Sequence, residues 1–553
     1  MHYKMSKSKN MVYKAIDYFI FIVLVMLLLI FILRPIYAII RTSFILDGKF
    51  TLDIYRNLFR DNIRLIKNSL FVATLTTIIS VIISINVAIY VSLSKGRIRK
   101  ILILLLMLTM ISPPFLSSLA YIKLFGRRGF ITHDILGLTL NTYGWQGIVS
   151  MQSLSSSSMN AFILTGIINR IDKDIIKSSL DLGANTSYTI RKIILPMMKP
   201  GILNVALLTF VRSLSDFGTP MTIGGAFNVL ATQAYLNVIA YSKMELAAAI
   251  CVLILIPAAI AFTQYRIFSR KNVLYTQNTI ANEMLDEDQD ESIKPKGPLW
   301  RFIQIFASLF LFTMIIQYLT IFLTSITQYS YGKMYFTIEH FVHLRKYLGD
   351  SFIRSITYGF ITGICGGILS FFTSYYVEIR KFRASRLLDF VVTLPSIVPG
   401  VFMGIAYILA FNNKPLELTG TSAIVILNIM FRQLPSNTRV YNANLSQIGT
   451  QVADAGKDLG APSIYIVKDI LFPMSKTAFM TNFVNNFKNT MTTVGAIIFL
   501  VYPGKKLATL EMFSAIREGK YGVGAAASVT IILITLTINI LMSRLIMRWK
   551  NVR

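Results

Sequence analysis

Long apolar runs recur from one end of this chain to the other, and they constrain its fold more than any other feature. A helix needs about 20 apolar residues to cross the roughly 30 Å of hydrocarbon in a bilayer. Runs of that kind occupy 18–40, 68–94, 101–125, 146–168, 201–225 and 246–266, then 302–325, 353–378, 387–411, 420–445, 477–501 and 523–547. They predict an all-α membrane protein with twelve transmembrane helices in two sets of six. With 54% hydrophobic and 15% charged residues among 553, the chain has too little polar material to clothe a water-soluble fold. The net charge of +29 does not imply nucleic acid, because the basic residues punctuate apolar runs and do not gather on one stripe. Cys251 and Cys365, the only cysteines, each sit inside an apolar run, which excludes a disulfide framework and a thiolate zinc site.

Residues 19–33 follow a Lys-rich start and could pass for a signal-peptide core, but the apolar stretch continues through Arg34-Pro35 to Ile40 without a small-residue cleavage site. It is read as a retained first span. The short basic loops Lys95–Lys100 and Arg380–Arg383 vote for a cytoplasmic N-terminus, since short loops obey the positive-inside bias best. The basic stretch Arg41–Lys67 votes the other way. With even span counts, both termini are expected in the cytoplasm. The polar segment after the sixth span carries the acidic run Asp286–Glu291 and then Pro295 and Pro298, the composition of a solvated linker. The expected organisation is a first six-helix half at 1–270, a cytoplasmic linker at 271–300 and a second six-helix half at 301–553.

The halves are copies of one another. At an offset of 286, Phe50-Thr51-Leu52-Asp53 falls on Phe336-Thr337-Ile338-Glu339, Ser69 on Ser355 and Pro113 on Pro399. At an offset of 277, Asp181-Leu182-Gly183-Ala184 falls on Asp458-Leu459-Gly460-Ala461, Tyr188 on Tyr465, Ile193 on Ile470 and Pro196-Met197 on Pro473-Met474. The change of offset is absorbed by the loop between the third and fourth spans, 126–145 in one half and the stretch near Asn412–Thr419 in the other. Six crossings per half insert both copies in the same sense, as parallel repeats about an axis along the membrane normal.

Both segments matched at the 277 offset read as helix, glycine turn, helix, then proline before the next span. Here the sequence resembles the binding-protein-dependent permeases of ABC importers, whose signature is E-A-A, three residues, Gly, nine residues, then I-x-L-P. The first half offers Lys177-Ser178-Ser179, Gly183, Ile193, Leu195 and Pro196; the second offers Asp454-Ala455-Gly456, Gly460, Ile470, Phe472 and Pro473. The resemblance implies coupling helices that sit in clefts of separate ATPase subunits, and assigns that role to Asp181, Leu182, Gly183, Ala184, Ile193 and Pro196 with Asp454, Asp458, Leu459, Gly460, Ala461, Ile470 and Pro473. Lys177 departs from the family's acidic residue, which removes any salt bridge that residue would make. The sequence contains no G-x-x-x-x-G-K-[ST] pattern, so ATP and Mg are expected on the partner ATPase and no cofactor on this chain.

Ser215-Asp216-Phe217-Gly218-Thr219-Pro220, Ile223-Gly224-Gly225 and Thr492–Leu500 resemble the fused permeases of ferric-iron uptake. Related fused permeases carry thiamine, phosphonates or sugar phosphates on the same architecture. The resemblance implies two ATPase copies, an extracytoplasmic solute-binding protein and residence in a bacterial cytoplasmic membrane. Arg212 and Asp216 stand four apart on one helical face, where an ion pair would lower the cost of charge in the membrane. With Lys488 they are the candidates for the substrate pathway. His340 and His343 beside Glu339 suggest a metal site, but their counterparts Ile54 and Asn57 argue against one, and no metal ligands are assigned. The alternative of another class, an ion-coupled secondary transporter, would need ionisable groups near the midplane of broken helices, where only the Arg212–Asp216 pair and Lys488 qualify,. A membrane enzyme would need paired carboxylates, a His cluster or an activated nucleophile, and no span presents them.

Overall fold

The structure, a computed structural model, describes residues 7–551 apart from 114, 139–140, 270–294, 331–332, 383 and 503. Among the described residues, seven helices are long and apolar enough to cross a membrane: Met11–Ser43, Ile63–Leu93, Thr186–Ser215, Met244–Gln264, Pro298–Ile326, Glu339–Arg380 and Tyr521–Ile546. Two bent pairs raise the number to nine: Gly96–Ile111 with Leu116–Ile135 at 105°, and Ser385–Ser396 with Gly400–Phe411 at 111°. The breaks fall at Pro113 and Pro399, the prolines matched by the repeat, because proline removes a helical donor and forces the preceding residue out of the α region.

The other three expected spans are helical but differ in composition. Trp145–Ile168 carries the run Ser155–Ser158, Ser422–Ile448 carries Arg432 and Arg439, and Lys476–Thr492 is rich in asparagine. These helices bury much of their polar surface against neighbours. The stretch expected to continue from 477 to 501 stops being helical at Thr492. The fold is also not wholly helical. Two-stranded ribbons pair Ile45–Leu46 with Lys49–Phe50, and Thr327–Ser330 with Lys333–Phe336, the latter in the register Thr327 opposite Phe336. Both ribbons follow the first helix of a half. Asp47 and Gly48 take φ of 50° and 78°, the left-handed pair that a tight two-residue hairpin needs.

The chain forms two compact units, and they cut across the sequence halves. One gathers 1–48, 349–508 and 533–553; the other gathers 49–348 and 509–532. The first helix of the chain therefore packs with the core of the second half. Pro35 has no N–H to give Phe31, so a π-turn forms over Leu29–Leu33 and the Tyr407 hydroxyl donates to the Phe31 carbonyl at 2.7 Å,. The Phe31 ring lies 5.0 Å from Phe431 and 5.5 Å from Phe411. In the other unit, Ala307, Phe310, Leu311 and Met314 of the second half's first helix join Val87, Leu106 and Phe162 in one apolar cluster. There the Tyr318 hydroxyl meets Ser112 Oγ at 2.8 Å. The acidic run at 286–291 lies outside the described residues.

Repeat-matched residues do the same work in each unit. Ser69 Oγ accepts the backbone N–H of Leu230 at 2.8 Å, and Ser355 Oγ accepts that of Ala508 at 2.9 Å. Each serine thereby satisfies a donor at the start of a helix, Leu230–Ile239 or Ala508–Arg517,. Asn160 Nδ2 donates to Thr209 Oγ1 at 2.7 Å, and at the 277 offset Asn437 Nδ2 donates to Asn486 Oδ1 at 2.8 Å. Ser69→Ala and Ser355→Ala each strand a buried donor, and each is expected to lower stability by about 1–3 kcal/mol, read as a fall in the thermal transition of the purified protein.

Candidate coupling loops and polar interior

The two loop segments matched at the 277 offset fold alike. In the first, the Asp172 carboxylate accepts from Asp174 N at 2.9 Å and starts the helix Lys173–Asp181,. The helix ends on Gly183 at φ +85°, with Gly183 N bonded to Leu180 O at 2.9 Å and Ala184 N to Ser179 O at 3.1 Å. In the second, the helix Thr450–Asp458 ends on Gly460 at φ +82°, with Gly460 N bonded to Lys457 O at 2.8 Å and Ala461 N to Gly456 O at 3.0 Å. This is the same pair of C-terminal capping bonds twice, and only glycine adopts the required φ without strain.

After each turn the chain starts a short helix, capped by Asn185 Oδ1 on Tyr188 N at 2.8 Å in the first loop. It then makes a π-turn, Ile190–Ile194 or Ile466–Leu471, and enters the next helix through Pro196 or Pro473. Apolar residues hold the elbows rigid: Ile176, Ile190, Ile194 and Met198 pack with Ile303 in the first, while Ala453, Ile466 and Leu471 are buried in the second. Ile193 and Ile470 are half-buried, and Asp181, Asp454 and Asp458 are exposed. The Lys457–Asp454 ion pair at 2.7 Å is exposed, where such a pair contributes little.

What each loop presents outward is a leucine. Leu182 is 88% exposed and Leu459 73%, at matched positions beside the capping glycines. A large apolar side chain so fully offered on a rigid, doubly capped turn is suited to fill a pocket on another chain. Each loop is also braced near a first helix: Lys296 N, just before Pro298–Ile326, donates to Thr186 Oγ1 at 2.9 Å in the first, and the Tyr13 ring stands edge-on to Tyr465 at 5.7 Å in the second. A hydrogen bond with the Tyr13 phenol pushes the Tyr465 pKa up.

The pathway candidates are arranged differently from the expectation. Asp216 ends the helix Leu195–Ser215, and its carboxylate accepts from Gln152 Nε2 at 2.9 Å and from the backbone N–H of Gly218 and Thr219 at 2.9 and 3.2 Å. Those bonds, not one to Arg212, occupy it, because the helix breaks at Asp216 and the i, i+4 geometry is lost. Arg212 instead donates to Met159 Sδ. Lys488 is half-buried on Lys476–Thr492, in the other compact unit. His340 meets the Thr327 carbonyl at 3.1 Å and His343 stacks on Tyr347. Among the described residues no group of three or more His, Cys, Asp or Glu gathers as a metal site.

The run 215–220 has a packing explanation. A Cβ on Gly218 would lie 2.0 Å from Phe115 Cε1, so glycine lets the aromatic ring close over the helix break. Phe115 packs on Phe513 at 4.5 Å, and Phe217 on Tyr235 at 5.3 Å. Gly218→Ala is expected to cost about 1–3 kcal/mol by overpacking, measured as a lower thermal transition. The residue missing from the sequence-based candidates is Arg432, a guanidinium within the helix Ser422–Ile448. Its signal was a charge in the middle of an expected span whose repeat counterpart is the neutral Ser155.

Long apolar helices in two repeats, two broken spans and twin capped loops with exposed leucines define an integral-membrane transport subunit. The sequence profile of the family described as binding-protein-dependent transport system inner membrane component matches residues 75–273 and again 363–548. The chain belongs to this family and carries its permease region twice. It is 30% identical over 490 residues to the ferric transport system permease protein FbpB of Actinobacillus pleuropneumoniae, covering 86% of this chain and 70% of that one. A provisionally named ferric transport system permease protein, FbpB 1, of Haemophilus influenzae is 32% identical over 456 residues, with 79% and 70% covered. The provisionally named 2-aminoethylphosphonate transport system permease protein PhnV of Salmonella typhi is 23% identical over 214 residues, 38% of this chain and 81% of that one.

Proposed function

We propose that this chain is the membrane permease of an ATP-driven importer for ferric iron, working with separate ATPase subunits and an extracytoplasmic iron-binding protein. The observation that carries the reading is the doubled family match over 75–273 and 363–548, joined to ferric-transport relatives that align along most of the chain. Two loops with the same caps and the same outward leucine favour two ATPase copies, one per loop, supplying ATP and Mg. Six crossings per half, counting the three polar helices with the nine apolar candidates, make twelve and return both termini to the cytoplasm. ATP binding and the loaded binding protein must both favour an outward-facing state over the inward-facing one, since a ligand shifts an equilibrium only by its differential affinity. The rigid loops are the levers through which the first of these acts.

The test is uptake of radioactive ferric iron into vesicles holding the chain with its ATPase and binding protein. Uptake that requires ATP, and that excess 2-aminoethylphosphonate leaves unchanged, is the expected result. Phosphonate import without iron import would overturn the substrate, and iron uptake by the chain alone without ATP would overturn the importer reading.

A further inference from the structure

Arg432 stands at the eleventh position of the 27-residue helix Ser422–Ile448, about 15 Å along its axis, and is half-buried. Among the described residues it has no hydrogen-bond or ion-pair partner. Its guanidinium lies flat over Gly400: a Cβ there would be 2.8 Å from one terminal nitrogen and 3.1 Å from Cζ. Gly400 opens the twelve-residue helix Gly400–Phe411 just after the 111° break. The first intrahelical bond of that helix runs from Met403 N to Pro399 O at 3.1 Å, so three backbone N–H groups precede it.

A cation against the positive end of a helix is the unfavourable pairing. That cost is relieved when an anion sits between them. The neighbouring polar atoms can line such a site, since Asn489 Nδ2 bonds Gln433 Oε1 at 2.9 Å one residue further along. The repeat shows that the fold itself does not require this arrangement. Where the second half has Gly400 and Arg432, the first has Pro114 and Ser155, so the two residues in contact depart from the repeat together.

We propose that Arg432 and the amino end of the Gly400–Phe411 helix form a transit site for an oxyanion, so that ferric iron crosses with a phosphate or carboxylate ligand attached and not as a bare trivalent cation. The inference rests on the ferric reading. A bare trivalent ion is repelled by an uncompensated guanidinium, whereas an oxyanion bound to the metal meets a bidentate donor fork and a helix N-terminus. Broken-span termini aimed at anionic groups are a device open to any transporter of this depth.

The experiment uses the whole importer in vesicles, with labelled iron supplied alongside labelled phosphate in one arm and labelled citrate in the other. Wild-type vesicles are expected to accumulate one of the two oxyanions in fixed ratio to iron. Arg432→Gln is expected to lower iron uptake about ten- to a hundredfold, with ATPase association retained, and Arg432→Lys to recover part of it. Iron import with neither oxyanion accumulating overturns this inference and leaves the ferric reading intact, as does an Arg432→Gln variant with wild-type uptake. No iron import by the wild type overturns both. Because co-accumulation is measured on the native chain, it decides the inference even where the variant fails to assemble.

Discussion

Replacing Leu182 and Leu459 together by aspartate is expected to abolish ATP-dependent uptake while leaving the permease folded. Both side chains are almost wholly exposed, so their loss removes no core contact and the thermal transition should move by about 0.5 kcal/mol or less. An anchor that fills a pocket on a partner typically contributes about 2 kcal/mol or more, and a carboxylate in that pocket adds an unpaired buried charge. With one ATPase copy on each loop, each copy loses affinity by about thirtyfold or more. The check is co-purification of the ATPase with the wild-type and variant permeases, together with uptake. The single variants test whether the loops contribute equally, which the Lys177-Ser178-Ser179 and Asp454-Ala455-Gly456 departures make unequal in sequence. The same positions report sidedness. In a chain where exposed Cys365 is replaced and buried Cys251 is kept, a cysteine at 459 should react with an impermeant thiol reagent only from the cytoplasmic face. Reaction from the outer face would sink the coupling reading altogether.

The parts of this fold that rest on composition and spacing were legible in the sequence. Apolar runs specify where helices lie, and the proline matches at 113 and 399 specify where two of them break. The loops were legible because a glycine at positive φ followed at fixed distance by a proline is a backbone constraint that leaves a sequence trace. Partnership leaves no such trace. An apolar stripe on residues 11–43 states that the helix is buried on one side, not that its partners Tyr407 and Phe431 come from the other half. The ribbons escaped because strands of two to four residues carry no period-2 pattern. Arg212 and Asp216 were read as a pair on a continuous helix, and the helix ends at Ser215, between them. Arg432 escaped because its helix was read as one more span, although it also carries Arg439 and is more polar than the apolar spans.

Asp17→Leu is expected to lower the stability of the compact unit holding 1–48 and 349–508 by about 3–5 kcal/mol, the cost of leaving one member of a buried ion pair alone. Asp17 is the charge that ties the first helix to its neighbours. Its side chain is 7% exposed and pairs with Arg380, itself 21% exposed, and the Tyr376 hydroxyl donates to its backbone carbonyl at 2.9 Å and its carboxylate at 3.1 Å. Around this pair Phe21 meets Tyr376 at 5.1 Å and Phe382 at 4.9 Å, and Tyr18 stacks on Phe382 at 5.8 Å. Removing the carboxylate leaves the Arg380 guanidinium among aromatic rings, and its Nε is already buried without a partner. Removing both charges is a different matter. Desolvation of the two ions opposes their attraction, so Asp17→Leu with Arg380→Leu should return to within about 1–2 kcal/mol of the wild type. Thermal transitions of the two single variants and the double variant give the coupling energy directly. A double variant no more stable than Asp17→Leu alone would mean that Tyr376 and the helix itself, not the ion pair, are what Asp17 holds.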